Sequence, residues 1–236
     1  MSLEQQIGAL VKASENLTGA VNGKIGEIDK HLEVNTAKVD QELAKIQTKL
    51  PRIIITKNQV LNLDADTGLP TGMAIHSKVT VTEYMTISGS NMKPAEQLAL
   101  LQEMETDMNT NLRKTSHYRQ GFKILKMSWV DSPTWLAFPH AADDPNLSSI
   151  PVNTFLTLGA FVKVLTGNLN HSWATGSQLG KWVFSNTKLN PAGFGCYANL
   201  HPIPGSPSGE VLVALPAAIT GHIDSPAQWF PNINLG

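Results

Sequence analysis

The sequence predicts an α+β protein: an N-terminal trimeric parallel coiled coil, then a β-α-β domain, then a β-rich C-terminal tip. Three observations carry this. Residues 3–50 place an apolar side chain almost once per helical turn. Residues 78–130 alternate like a strand, then follow helical spacing, then return to a strand. Beyond Pro133 helical spacing disappears and Gly, Pro, Asn and Ser become frequent. The expected boundaries are 1–50 for the stalk, 51–77 for an extended connector, 78–132 for the β-α-β domain and 133–236 for the tip.

The stalk rests on the stripe Leu3, Ile7, Leu10, Ser14, Leu17, Val21, Ile25, Ile28, Leu32, Asn35, Val39, Leu43, Ile46 and Leu50. Every step is 3 or 4 residues. Consecutive steps of 4 occur at Leu17-Val21-Ile25 and at Asn35-Val39-Leu43, and each is a stutter in the heptad pattern. The mean period is about 3.6 residues, that of a relaxed helix, so a nearly straight bundle of ~70 Å is expected. A stripe one residue wide cannot be buried without partners of equal length, so the seam predicts an oligomer. Ile25, Leu32 and Val39 take a positions and Ile28 a d position, and β-branched residues at both favour three or more strands. Gly8, Gly19, Gly23 and Gly26 each weaken the helix by ~1 kcal/mol relative to Ala, so its partners must hold it. Pro51 ends the helix by lacking an N–H and disfavouring helix in the preceding residue.

Beyond the stalk, Arg52–Thr56 and Gln59–Leu63 read as short strands or connector, and 64–72 as a turn cluster. Val79, Val81 and Tyr84 alternate with polar residues in a strand over 78–88. Pro94 opens an amphipathic helix over about 94–116, carried by Leu98, Leu101, Met104 or Glu105, Met108 and Leu112. A strand over 122–130 follows, and a parallel pairing with a right-handed crossover is the default for such a unit. In the tip, strands are expected at 155–165, 181–185, 193–200 and 210–215. Long loops at 139–152, 166–181, 201–209 and 221–236 mark places where function concentrates.

Composition narrows the function. The 236 residues carry a net charge of −1, with no basic patch for phosphates, so nucleic acid is not an expected partner. A single cysteine, Cys196, excludes an internal disulfide and a Cys-based zinc site of usual form. The opening Met1-Ser2-Leu3-Glu4 has no secretory pattern, and no apolar run reaches the ~18–20 residues of a membrane span. The Gly-x-Ser-x-Gly, Gly-rich phosphate-loop and His-Glu-x-x-His patterns are absent, and the seven histidines have no metal-ligand spacing. Asp131, Asp143, Asp144, Glu210 and Asp224 are the distal acids from which a glycosidase pair would have to come. No catalytic residue, metal or cofactor is expected. His140 with Asp143 and Asp144 reads as a solvated loop rather than a cation site. Aromatic residues are absent before Tyr84, and all five tryptophans follow residue 128. Trp135, Trp173, Trp182 and Trp229 could stack on sugar rings, but for each of them core packing is the first reading. Trp173 and Trp229, in loop-like surroundings, are the candidates for stacking on a ligand such as a sugar ring.

Asn35 interrupts the apolar seam. A single polar residue there can fix register at a cost in stability. The segment Leu32-Glu33-Val34-Asn35-Thr36 also resembles the Asn-Thr layer of trimeric fibres in bacterial adhesins and phage tails, with Leu32 standing where Ile or Val is usual. In that layer three Asn amides turn inward around an axial anion, often chloride, and an anion or water would satisfy their N–H groups. Taken with the Pro51 stop and the aromatic, Gly/Pro-looped C-terminal part, the whole plan resembles a short phage tail fibre or receptor-binding protein. The His-x-His repeat of some fibre tips is missing. The resemblance implies a homotrimer in the virion tail, made in the host cytoplasm. Its N-terminal end would dock to other virion proteins, and its tip would bind a host surface receptor, a glycan being the expected class. Alternatives are a baseplate, collar or capsid-decoration trimer, a bacterial trimeric adhesin, and a small glycan-active enzyme. Against the adhesin stand the missing secretory pattern and the missing C-terminal membrane anchor.

Overall fold

A computed structural model describes residues 2–49, 52–90, 92–112, 121–141, 150–151, 153–192, 197–198, 201–229 and 233–234. The chain divides into two compact units, Met1–Lys49 and Leu50–Gly236.

The first unit is one helix, α1 (Leu3–Lys49), of 47 residues. Ser2 opens it: its hydroxyl accepts the Gln5 N–H, and the Gln5 side chain accepts the Ser2 N–H, a reciprocal cap. Surface pairs Lys24–Glu27 and Lys45–Glu42 lie off the apolar stripe and contribute little each. Leu50 and Pro51, expected as the last seam residue and the stop, lie outside the described residues.

The second unit is built on one sheet. Its strands are β1 (Ile53–Ile54), β2 (Met73–Ile75), β3 (Val79–Ile87), β4 (Phe122–Trp129), β5 (Ala137–Pro139), β6 (Ile150–Pro151), β7 (Leu156–Thr166), β8 (Leu169–Asn170), β9 (Trp182–Leu189), β10 (Tyr197–Ala198), β11 (Ile203–Pro204), β12 (Gly209–Thr220) and β13 (Ile233–Asn234). Strand β12 is central. It pairs antiparallel with β7 along one edge, and with β4 and then β1 along the other. Outside these, β9 joins β7 and β3 joins β4, both antiparallel, while β13 lies parallel to β1. The strand pairs β2–β5, β6–β10 and β8–β11 lie apart from this sheet.

Helix α2 (Ala95–Met108) covers one face. Gln97 accepts the Ser88 N–H just past β3, Glu103 pairs with Lys163 of β7, and Asp107 accepts the Trp182 N–H at the start of β9. The helix therefore crosses the strands from β3 to β9, burying Leu100, Leu101 and Met104 against Ile124, Phe161, Leu212 and Trp182. The other face packs Leu125, Met127, Trp129, Val162, Val211 and Val213 beneath Leu61, Leu136, Leu169 and Trp173. Two covered faces explain why β7 and β12 are near-continuous apolar runs instead of alternating.

The fold is α+β, but two expectations about it need correction. Strands β3 and β4 pair antiparallel, not parallel. A crossover helix that ran antiparallel to the strands would return the chain to the start of β3. Helix α2 runs across the sheet instead, so β4 begins opposite Ile87, where β3 ends. The expected boundary at 132/133 is also absent, because β4 pairs with β12 across six residue pairs inside one sheet. Strands β1, β3, β4, β7, β9 and β12 fall where strands are expected, with β9 and β12 ending later, at Leu189 and Thr220. Strands β6, β8, β11 and β13 lie in segments expected as loops, and 59–63 forms no strand. Helix α2 is shorter than 94–116 because Asn109 adopts a left-handed cap (φ 48°). Residues 113–120 lie outside the described residues, as do 193–196 and 199–200 of the strand expected at 193–200.

Gly209 shows how tightly the sheet is closed. A Cβ there would lie 2.5 Å from Trp129 Cη2 and 2.7 Å from the Thr166 carbonyl oxygen. Gly209→Ala is expected to destabilise the second unit by about 3 kcal/mol, the upper range for overpacking, as read by denaturant unfolding. An unchanged midpoint would show that Trp129 moves freely aside.

Candidate functional site

In the single chain the face of α1 is bare. Leu3, Ile7, Leu10, Leu17, Val21, Ile25, Ile28, Leu32, Val39, Leu43 and Ile46 are 45–73% exposed. Asn35 lies exposed on the same stripe, between Leu32 and Val39. The stripe runs the length of a 47-residue helix, whereas isolated exposed apolar side chains are ordinary and contiguous ones mark contact surfaces. Building a Cβ on Gly8, Gly19, Gly23 or Gly26 meets nothing within 4 Å, so no close approach inside this chain requires these glycines.

In the second unit, the two expected ligand-stacking residues are core. Trp173 and Trp229 are both 0% exposed. Trp173 sits in a 3-10 turn, Ser172–Ala174, and its indole N–H donates to the Ala137 carbonyl at 3.2 Å. Trp229 follows the turn Pro226–Gln228 and donates to the Leu215 carbonyl at 2.8 Å. That carbonyl lies at a bulge in β12, where the register shifts between Ala214 and Ala217 and Leu215 has φ 54°. Gly159 completes the fit, since a Cβ there would lie 3.0 Å from the Trp229 ring. The Gly, Pro and Ser around both tryptophans signalled irregular backbone, which is not the same as an exposed side chain.

Tyr84 on β3 is 49% exposed, and a half-buried aromatic group gathers around Trp135. Trp135 is the half-buried tryptophan, and His76 meets it edge-on at 5.0 Å and 80°. Phe138 tilts against it at 5.2 Å and His201 at 6.3 Å, while Phe138 lies 6.0 Å from both His140 and His201. Burial pushes the His201 imidazole below its ordinary pKa, and nearby His171 adds to this by charge repulsion. The pairing of β2 with β5 brings residue 76 beside 135–138, far apart in sequence. Spacing rules missed this cluster because its rings come from three separate segments, at His76, 135–140 and His201. Among the described residues no three His, Cys, Asp or Glu side chains come together to hold a metal. His76, Trp135, Phe138 and His201 offer partly exposed rings, whereas His140, expected in a solvated loop, is buried.

The distal acids are dispersed. Glu210 is held by Lys126 at 3.2 Å and Ser128 at 3.1 Å, and Asp224 pairs with Lys188. Asp131 is exposed in a left-handed turn, while Asp143 and Asp144 lie outside the described residues. Neither a protein-family model nor a curated protein matches the chain.

Proposed function

We propose that this protein is a homotrimeric phage tail fibre, a structural virion component without catalytic activity. In this reading three α1 helices associate in parallel, the N-terminal end docks to other virion proteins, and the head binds a host surface glycan. The observation that carries it is the apolar stripe of α1, exposed from Leu3 to Ile46. Burying an apolar surface contributes about 25 cal/mol per Å2, and three such seams have only each other to close on. The chain division at Leu50 supports a stem and a separately folded head. Three weak sites on one stem would bind a surface with avidity ~10²–10⁴ above a single site.

Within that trimer Asn35 would face the axis, with its amides around a chloride ion or water. Asn35→Ile is expected to raise the melting temperature and leave the mass unchanged, since an apolar residue in a seam replaces a costly polar layer. A lowered melting temperature would contradict an axial Asn35. Adsorption of the fluorescent full-length protein to bacterial cells tests the receptor role. Attachment to virions without any adsorption to cells would favour a baseplate, collar or decoration protein instead.

A further inference from the structure

Trp135 differs from the other four tryptophans in what its ring and its N–H meet. Trp129, Trp173, Trp182 and Trp229 are at most 1% exposed. Three of them donate the indole N–H to a backbone carbonyl, and the Trp182 nitrogen is sealed inside the core. Trp135 is half-buried, and its N–H makes no hydrogen bond among the described residues, yet it is not sealed from solvent. We infer that Trp135, flanked by His76 and His201, is the stacking site for one neutral sugar ring. The inference rests on the reading of the protein as glycan-binding, and it names the surface that does the binding.

The backbone holds this site in place. Leu136, 0% exposed, anchors both flanks. Its N–H donates to the Pro202 carbonyl at 3.0 Å, which brings His201 alongside, and its carbonyl accepts the His76 N–H at 3.1 Å. Next to it, β2 and β5 pair Ile75 with Ala137. The flanking rings incline to the indole by 80° for His76, 54° for His201 and 47° for Phe138, so none of them stacks parallel on it. Rings already fixed by the fold lose little entropy when a ligand docks on them.

The polar edges suit hydroxyls. His76 accepts the Lys78 N–H at Nδ1, 3.1 Å away, so the neutral ring carries its proton on Nε2 and donates from there. His201 makes no hydrogen bond among the described residues. Burial, with His171 nearby, holds its pKa below the ordinary value, and the neutral imidazole offers one donor and one acceptor. A sugar hydroxyl donates and accepts, and the C–H face of a pyranose covers an aromatic ring. The ring cluster holds no fixed charge, and the ammonium of Lys78, beside His76 in the chain, is taken by the Asp131 carbonyl. Tyr84 is more exposed but has no ring beside it among the described residues.

The test is ligand-observed NMR on the full-length protein with methyl glycosides of glucose, galactose and mannose and with N-acetylglucosamine. Saturation transfer to at least one is expected at millimolar concentration, unaffected by equimolar inorganic phosphate. Trp135→Ala is expected to abolish it. Trp135→Phe, which keeps a flat ring and removes the N–H, is expected to weaken it by about tenfold, with the melting temperature near wild type. Tyr84→Ala is expected to leave it unchanged. The inference is overturned if no sugar shows transfer, if Trp135→Phe binds like wild type, if phosphate displaces the sugar, or if Tyr84→Ala abolishes binding. Adsorption to cells that survives both Trp135 substitutions removes this site while leaving the fibre reading intact. A wild-type protein that adsorbs to no cell removes the receptor reading itself.

Discussion

On the proposed trimer, Ile28→Asp is expected to leave a 25.5 kDa monomer with most of the α1 helix lost. Ile28 lies near the middle of the stem and is 56% exposed in the single chain, so the residue itself costs nothing to replace there. In a parallel trimer the substitution would put three carboxylates in one layer. Each would be withdrawn from water without a partner, at several kcal/mol apiece. Without its partners α1 has little to sustain it. Helices gain most of their stability from tertiary packing, and four internal glycines withdraw roughly 1 kcal/mol each. Circular dichroism should record the loss of helix while the sheet signal persists, because the head has its own core. Ile28→Val should retain the trimer. If Ile28→Asp keeps full helicity and mass, the stripe is not an association seam.

Trp229→Ala is expected to destabilise the head by about 3–5 kcal/mol, the usual cost of deleting a large buried aromatic. For a unit of this size that lowers the melting temperature by roughly 10 °C. The indole fills space between Phe184 and Gly159, and its N–H satisfies the bulged Leu215 carbonyl. The substitution removes both at once. A surface tryptophan serving only a receptor would behave differently, with binding lost and melting unchanged. That second outcome would mean that Trp229 is not the core residue described above.

The physical reason for misplacing Trp173 and Trp229 applies more widely in this chain. Local sequence reports backbone habits, and these were legible. The 3.6-residue spacing marked α1, alternation marked β3, and β4 and β7 fell within a residue of expectation. Where tertiary structure overrides local pattern, the reading stopped short. Strand β12 extends to Thr220, five residues past the expected end, because a bulge at Leu215 absorbs Pro216 inside a central strand. The antiparallel pairing of β3 and β4 depends on α2 crossing the sheet, a direction that periodicity does not encode. The same holds for long-range contacts in the second unit. His76, Trp135 and His201 meet through long-range pairing, and the unpartnered Trp182 N–H is visible only once the other indoles are seen to be satisfied.

The association of α1 is the claim from which the rest follows, and it has a direct physical measurement. Light scattering coupled to size-exclusion chromatography of the full-length protein should give about three times 25.5 kDa, constant across a dilution series. A single species at 25.5 kDa throughout that series would contradict the account.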